Sequence, residues 1–167
     1  MAKYIISKAV EVIITLICLV VLGFIIMMIL GFRPYVVLSG SMENKIHTGS
    51  LCFVDTGYKY ENLKVGDIIA YTNGKIRVTH RVHKIENGLI QTKGDANEEP
   101  DKYLIGEEHF VGLTKYWIPA VGYAVNWMQT EKGKILTCTA VIALILLNFL
   151  VHDNSHEQKN DEKVLTC

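Results

Sequence analysis

The chain has 167 residues, a length that fits about one domain; half of them are hydrophobic and only 20% are charged. Seventeen Lys and Arg balance seventeen Asp and Glu, so the chain has no basic excess with which to hold nucleic acid, and that class of partner is set aside. The mean hydropathy of +0.23 is high for a soluble domain, and because it is concentrated in two places it reads as that of a membrane protein.

The first place is Val12 to Phe32, a run of 21 residues without a charge. A bilayer core needs about 20 apolar residues of helix. The basic start (Lys3, Lys8) also suits a cleaved leader, but the run is longer than the 7–15 residues typical of one, and no Ala-x-Ala site follows. Residues 1–32 are therefore read as a tail and a retained transmembrane anchor.

Residues 33–130 change character, from long apolar runs to short alternating segments. Leu38-Ser39-Gly40-Ser41-Met42 comes first. Small residues there let another backbone approach closely, with Ser41 as a candidate nucleophile and Ser39 as a neighbouring hydroxyl donor. Taken alone, Ser-Gly-Ser is an ordinary loop. The Gly-x-Ser-x-Gly elbow of α/β hydrolases is absent.

Strands are then expected at Leu51–Val54, Asp67–Thr72, Ile76–Ile85 and Leu89–Lys93. Asn73-Gly74 and Asn87-Gly88 between them are strong hairpin signals. Two such turns in one stretch imply an antiparallel meander, and no useful amphipathic helix falls between residues 33 and 112. Along Ile76–Ile85 alternate side chains share a face. Ile76, Val78, His80 and Val82 point to the core, and Arg77, Thr79, Arg81 and His83 point away. His80 is thus an ionisable group on an apolar face, which by itself reads as a satisfied core histidine. His80 and His83 lie on opposite faces, and no histidine shows ligand spacing, so no metal and no cofactor are expected.

Thr92 to Asp101 (TKGDANEEPD) is an acidic loop following a strand. Such loops are commonly solvated surface or weak calcium sites. A serine nucleophile, however, needs a base, and a histidine base needs an orienting carboxylate. Ser41, His80 and either Asp95 or Asp101 supply that set within one β domain. Further on, Tyr116–Trp127 is apolar and aromatic, suited either to a core strand or to a membrane interface, where Trp and Tyr collect.

The second apolar place is Ile135 to Val151, 17 residues without a charge, after Lys132 and Lys134. It is at the short end of what spans a bilayer, and a buried core helix is the other reading. Residues 131–152 are taken as a second transmembrane helix and 153–167 as a polar cytoplasmic tail. The four cysteines make no disulfide framework, since only Cys52 lies in the central domain. The 102 residues from Arg33 to Lys134 are too many for the positive-inside rule to fix topology.

Ser39–Met42, Gly66–Ile69 (GDII), His80–Val82 (HRV) and Lys93–Asn97 (KGDAN), in that order behind an N-terminal anchor, resemble the type I signal peptidases. The segment Ile118–Gly122 resembles a further family stretch. Histidine at position 80, where most bacterial members have lysine, resembles the endoplasmic-reticulum-type branch. The small size and second span resemble the bacterial W-type enzymes of that branch. The resemblance implies an all-β, signal-peptidase-like antiparallel catalytic domain flanked by two transmembrane helices and facing the extracytoplasmic side of the cell membrane. It implies a membrane-bound serine endopeptidase that cuts signal peptides from exported pre-proteins after small residues, needing signal peptides and membrane lipid as partners. It also implies roles: Ser41 as nucleophile, His80 as general base, Asp101 as its orienting acid, Asp95 as an alternative or supporting acid, and Ser39 in the oxyanion hole. Two positions depart from the family pattern, Asn44 in place of proline and Ser50 in place of aspartate after Gly49. An inactive, membrane-anchored binding module on the same scaffold is the competing expectation.

The chemistry agrees with the resemblance. A lysine base must be brought down from about 10.4 by burial, whereas an imidazole begins near 6.5 and needs only orientation. Ser41 is nine residues past Phe32, at most about 30 Å of extended chain, so the nucleophile is held near the bilayer surface, where a signal peptide's cleavage site also lies.

Overall fold

A computed structural model of the chain describes residues 2–74 and 76–146. Residues 147–152 of the expected second span and the tail 153–167 lie outside the described residues. Residues Ile26–Trp127 form one compact unit; the second comprises described residues up to Ile25 and from Met128 onward.

The N-terminal helix α1 covers Ala2–Ile29. Its portion Lys8–Ile29 is long and apolar enough to cross a membrane, and no other described helix meets that standard. Large apolar side chains lie exposed along it, Leu16, Val20, Phe24 and Ile29 among them. A helix that is apolar all round belongs in an apolar medium. Residues 131–146 are also helical, with Ile135, Leu136, Ile142 and Ile145 exposed.

The unit Ile26–Trp127 is built on a seven-stranded sheet, antiparallel throughout. In chain order the strands are β1 (Phe32–Val36), β2 (Leu51–Asp55), β3 (Ile68–Asn73), β4 (Ile76–Glu86), β5 (Leu89–Lys93), β6 (Leu104–Ile105) and β7 (Phe110–Ile118). In space the order is β1-β2-β7-β3-β4-β5-β6. Strands β3 to β5 form the expected meander, β6 adds to it beside β5, and β7 inserts between β2 and β3, joining the β1–β2 pair to it. The short helix α2 (Val121–Met128) follows.

Three local details differ from the sequence expectation. Asn73 pairs with Ile76, so Asn73 ends β3 and Gly74, at φ +63°, opens the turn instead of closing it. Asn87 and Gly88 do form the second turn, both at positive φ, as a two-residue hairpin loop of type I′ requires. The alternation along β4 also breaks. The register against β5 slips between Val82 and Lys84, leaving His83 as the extra residue of a bulge, which re-aims the side chains that follow. Ile85, not Lys84, then lies opposite Ile90. At the other end of the strand, Ile76 is exposed at the lip of a groove rather than buried. The stretch Tyr116–Trp127 divides between β7 and α2. Tyr116, Ile118, Tyr123 and Trp127 remain exposed.

Both faces of the sheet carry core. On one, Leu63, Ile69, Tyr71, Val82, Ile90 and Ile105 pack together. On the other, Met42, Ile46, Cys52 and Ile68 form a second cluster, with Val37 and Trp117 against it. Cys52 is wholly buried, and burial pushes its thiol up to about 11. Met42 and Ile46 belong to the loop that carries Ser41, so the second cluster roots that loop in the core.

Candidate active site

The pairing register assembles the site. Residues directly opposite in an antiparallel pair share a face. Ile69 lies opposite His80, Tyr71 opposite Val78, and Thr92 opposite Val82. Tyr71 from β3, His80 from β4 and Thr92 from β5 therefore converge on one side of the sheet, and all three are buried. The Asp101 carboxylate closes over them. Its Oδ2 accepts hydrogen bonds from His80 Nδ1 at 2.6 Å, from the Tyr71 hydroxyl at 3.0 Å and from Thr92 Oγ1. The Asp101 backbone is fastened as well: its N–H donates to the Thr92 carbonyl at 2.8 Å, and Gln91 Nε2 donates to its carbonyl at 3.2 Å.

A carboxylate only accepts, so His80 Nδ1 carries the proton in this pair. In a neutral imidazole that leaves Nε2 as an acceptor. Nε2 lies 3.0 Å from Ser41 Oγ, which donates to it. Ser41 Oγ, His80 and Asp101 thus form one continuous line. Ser39 Oγ is 3.3 Å from Ser41 Oγ. The Tyr71 ring meets the His80 imidazole edge-on at 6.3 Å, which fixes the tilt of the ring.

The electrostatics follow from burial and hydrogen bonding. Burial works to raise the Asp101 carboxyl. Donors from Thr92, His80 and Tyr71, together with the His80 charge, outweigh it and hold the group below its ordinary value. Tyr71 is pushed up to about 12, chiefly by burial, so it remains a neutral donor.

Asp95 lies elsewhere. It receives two hydrogen bonds from Arg81, Nε to Oδ1 at 2.8 Å and Nη2 to Oδ2 at 2.6 Å. Arg81 Nη1 also donates to the Gly66 carbonyl at 2.7 Å, and Asp95 raises the guanidinium's pKa. Bidentate pairs of this kind are among the stronger charged contacts. This pair ties the loop after β5 to β4 and to the turn before β3. The same loop holds Ser41: the Ala96 N–H donates to the Ser41 carbonyl at 2.9 Å. Gly94 sits so near that a Cβ on it would come within 2.6 Å of that carbonyl, so only glycine fits there.

From below, Ser41 is held by its neighbours. Met42 is almost wholly buried and Ile46, four residues on, completely so. The Ile46 N–H donates to the Met42 carbonyl at 2.8 Å, so both side chains leave one turn into the same core cluster. Asn44, between them, takes φ +76°, a value closed to proline and one that asparagine tolerates. The departure from the family pattern at position 44 is thus a differently shaped turn. Glu43 braces the far side, accepting from the Thr48 N–H at 3.0 Å and from its hydroxyl at 2.9 Å, with His47 Nδ1 at 2.7 Å. These contacts, the Thr48 N–H first, hold its carboxyl down at about 2.

Beside Ser41 and His80 runs a groove walled by Tyr35–Ser39 on one side and by Gly74 and Ile76–His80 on the other. Strand β1 pairs only with β2, and β5 pairs with β4 only from Arg81 onward. Among the described residues, both walls therefore present strand edges with unused backbone groups, the arrangement to which an extended peptide adds as a further strand.

Sequence reasoning missed Tyr71, Thr92, Arg81 and Met42 as parts of the site. For Arg81 the signal was present: alternation puts it on the opposite face from His80, so its carboxylate partner and that of His80 are different residues. Tyr71 and Thr92 needed the cross-strand register.

Among families of known proteins, the model for "Signal peptidase, peptidase S26" matches residues 7–102, a span that contains Ser39, Ser41, His80, Asp95 and Asp101. Among curated proteins, the chain is similar to the signal peptidase complex catalytic subunit SEC11 of Lachancea thermotolerans, 36% identical over 128 residues that cover 67% of this chain and 75% of that protein. It is similar to the SEC11 subunit of Komagataella phaffii at 34% over 131 residues, with 67% and 75% covered. The Candida tropicalis SEC11 subunit matches at 41% over 103 residues, with 53% and 60% covered.

Two outcomes are expected. Arg81→Ala and Asp95→Ala should each lower thermal stability by about 1–3 kcal/mol. The double variant should lose clearly less than their sum, as for any pair acting as one unit; additive losses would show that the pair does not brace the loop. The second concerns acid. Asp101's folded pKa is depressed, so the stability it contributes is present above its ordinary value of 3.8 and is lost as pH falls through the folded value. Asp101→Asn should therefore cost stability at pH 7 and progressively less below about pH 4, read by thermal unfolding of both proteins across that range.

Proposed function

Since this chain belongs to the signal peptidase family, peptidase S26, and is a signal peptidase of the endoplasmic-reticulum type, we propose that Ser41 is its nucleophile, His80 its general base and Asp101 the carboxylate that orients the base. The observation that carries this reading is the line of hydrogen bonds from Ser41 Oγ through His80 to Asp101 Oδ2, at 3.0 and 2.6 Å.

The substrate is the signal peptide of a pre-protein, bound as an extended strand in the groove with small residues at −3 and −1. Ser41 Oγ attacks the scissile carbonyl while His80 Nε2 takes its proton. The tetrahedral oxyanion rests on the Ser41 backbone N–H and the Ser39 hydroxyl; one donor of this kind is worth about 2.7–4 kcal/mol in a serine protease. His80 then gives the proton to the leaving amine, which departs as the new N-terminus, and an ester on Ser41 remains. Water, deprotonated by the same His80, hydrolyses that ester and restores Ser41. Asp101 holds the Nδ1 proton throughout and favours the imidazolium that forms. Asp95 acts on the loop, through Arg81, and not on the base.

The membrane completes the assignment. Helix α1 anchors the chain, and residues 131–152 make the second span, so that both tails lie in the cytoplasm and the unit containing Ser41 is extracytoplasmic. Ser41 is twelve residues beyond Ile29, at most about 40 Å of extended chain, which keeps it within reach of the bilayer surface. Tyr116, Tyr123 and Trp127, exposed on β7 and α2, contact lipid headgroups there.

In a pre-protein cleavage assay with the full chain in membranes, Ser41→Ala and His80→Ala should each lose at least about 1,000-fold in rate, since the members of such a set act as a unit. A Ser41→Ala protein that cuts as fast as wild type would remove the assignment.

A further inference from the structure

We infer that Arg77 sets a charge preference for the substrate four residues before the scissile bond, favouring an acidic side chain there and rejecting a cationic one. The inference rests on the peptidase reading above and names a specificity element within its groove.

The described groove lining is apolar or small and neutral apart from His80 and Arg77, and Arg77 is its one permanent charge. Arg77 is not loose: its guanidinium carbon lies 4.7 Å from the centre of the Tyr35 ring, which draws it across from β4 to β1. Stacking on a ring occupies the face of a guanidinium and leaves its N–H edges free for an acceptor. An acidic side chain on a bound peptide would meet those edges, whereas a lysine or arginine would meet a like charge beside largely apolar walls.

Position along the groove gives the register. Arg77 precedes His80 by three residues, about 10 Å of strand, and a peptide laid beside β4 uses about three of its own residues to cover that distance, so with the −1 residue beside His80 the −4 residue lies beside Arg77. The Tyr35–Arg77 end is also the end nearest α1 along the chain, since β1 begins three residues after Ile29. The membrane-embedded run of a signal peptide lies before its cleavage site, so the peptide enters from that end, and the residues reaching Arg77 are on the amino side of the bond.

The test uses the full chain in membranes and a pre-protein series carrying Asp, Ala or Lys at the fourth residue before the cleavage site, with small residues kept at −3 and −1. For wild type, kcat/KM for the Asp substrate should exceed that for the Lys substrate about tenfold, and raising the salt should shrink the ratio. Arg77→Gln should bring the ratio near one, Arg77→Glu should invert it, and Arg77→Lys should keep its direction. Because each ratio is taken within one variant, a general loss of rate leaves it readable. An Asp-to-Lys ratio equal in wild type and Arg77→Gln, or a preference found only after the cleavage site, would overturn the inference while leaving the peptidase reading intact, provided Ser41→Ala is inactive. If the Ala substrate is not cut by wild type, or is cut equally by Ser41→Ala, the reading itself fails and the inference falls with it.

Discussion

One carboxylate oxygen organises this domain. Asp101 Oδ2 takes hydrogen bonds from Tyr71 on β3, His80 on β4 and Thr92 on β5, so three adjacent strands meet at a single atom. An oxygen with that many donors is well compensated for its burial, and for that reason it stays ionised. Its charge in turn fixes which nitrogen of His80 holds the proton, and that choice turns Nε2 toward Ser41 as an acceptor. The position of the His80 ring and its tautomer both follow from the same contact.

The serine arrives by a different route. It is carried on a loop, and loops are mobile unless something ties them down. Here the ties are of three kinds. Met42 and Ile46 sink into the core cluster behind β2 and β3, the Ala96 N–H holds the Ser41 carbonyl, and the Arg81–Asp95 pair secures the segment from which Ala96 reaches. The site is thus a sheet presenting His80 to a loop clamped from two sides. That suits chemistry in which a misplacement of about 1 Å costs two orders of magnitude.

Much of this was legible in the sequence, and the remainder has a physical reason for escaping it. The Asn87-Gly88 turn and the alternation before Val82 locate β4 and set His80 on its buried face, because turns and side-chain period are local properties. The bulge at His83 and the insertion of β7 between β2 and β3 were not legible, since each depends on the register in which one strand pairs with another. The choice between Asp95 and Asp101 shows the boundary most clearly. Both stand in one loop six residues apart, and spacing cannot separate them. The sheet does: its two faces send Arg81 to one and His80 to the other.

The central claim is that Asp101, and not Asp95, acts on the base. The most direct measurement is the single-turnover rate of pre-protein cleavage by Asp101→Asn and Asp95→Asn, side by side in the same membranes. The account predicts a loss on the order of 10⁴-fold for Asp101→Asn, where an amide that can present its NH₂ to Nδ1 favours the wrong tautomer, and a much smaller loss for Asp95→Asn. An Asp101→Asn protein close to wild type beside a dead Asp95→Asn would contradict it.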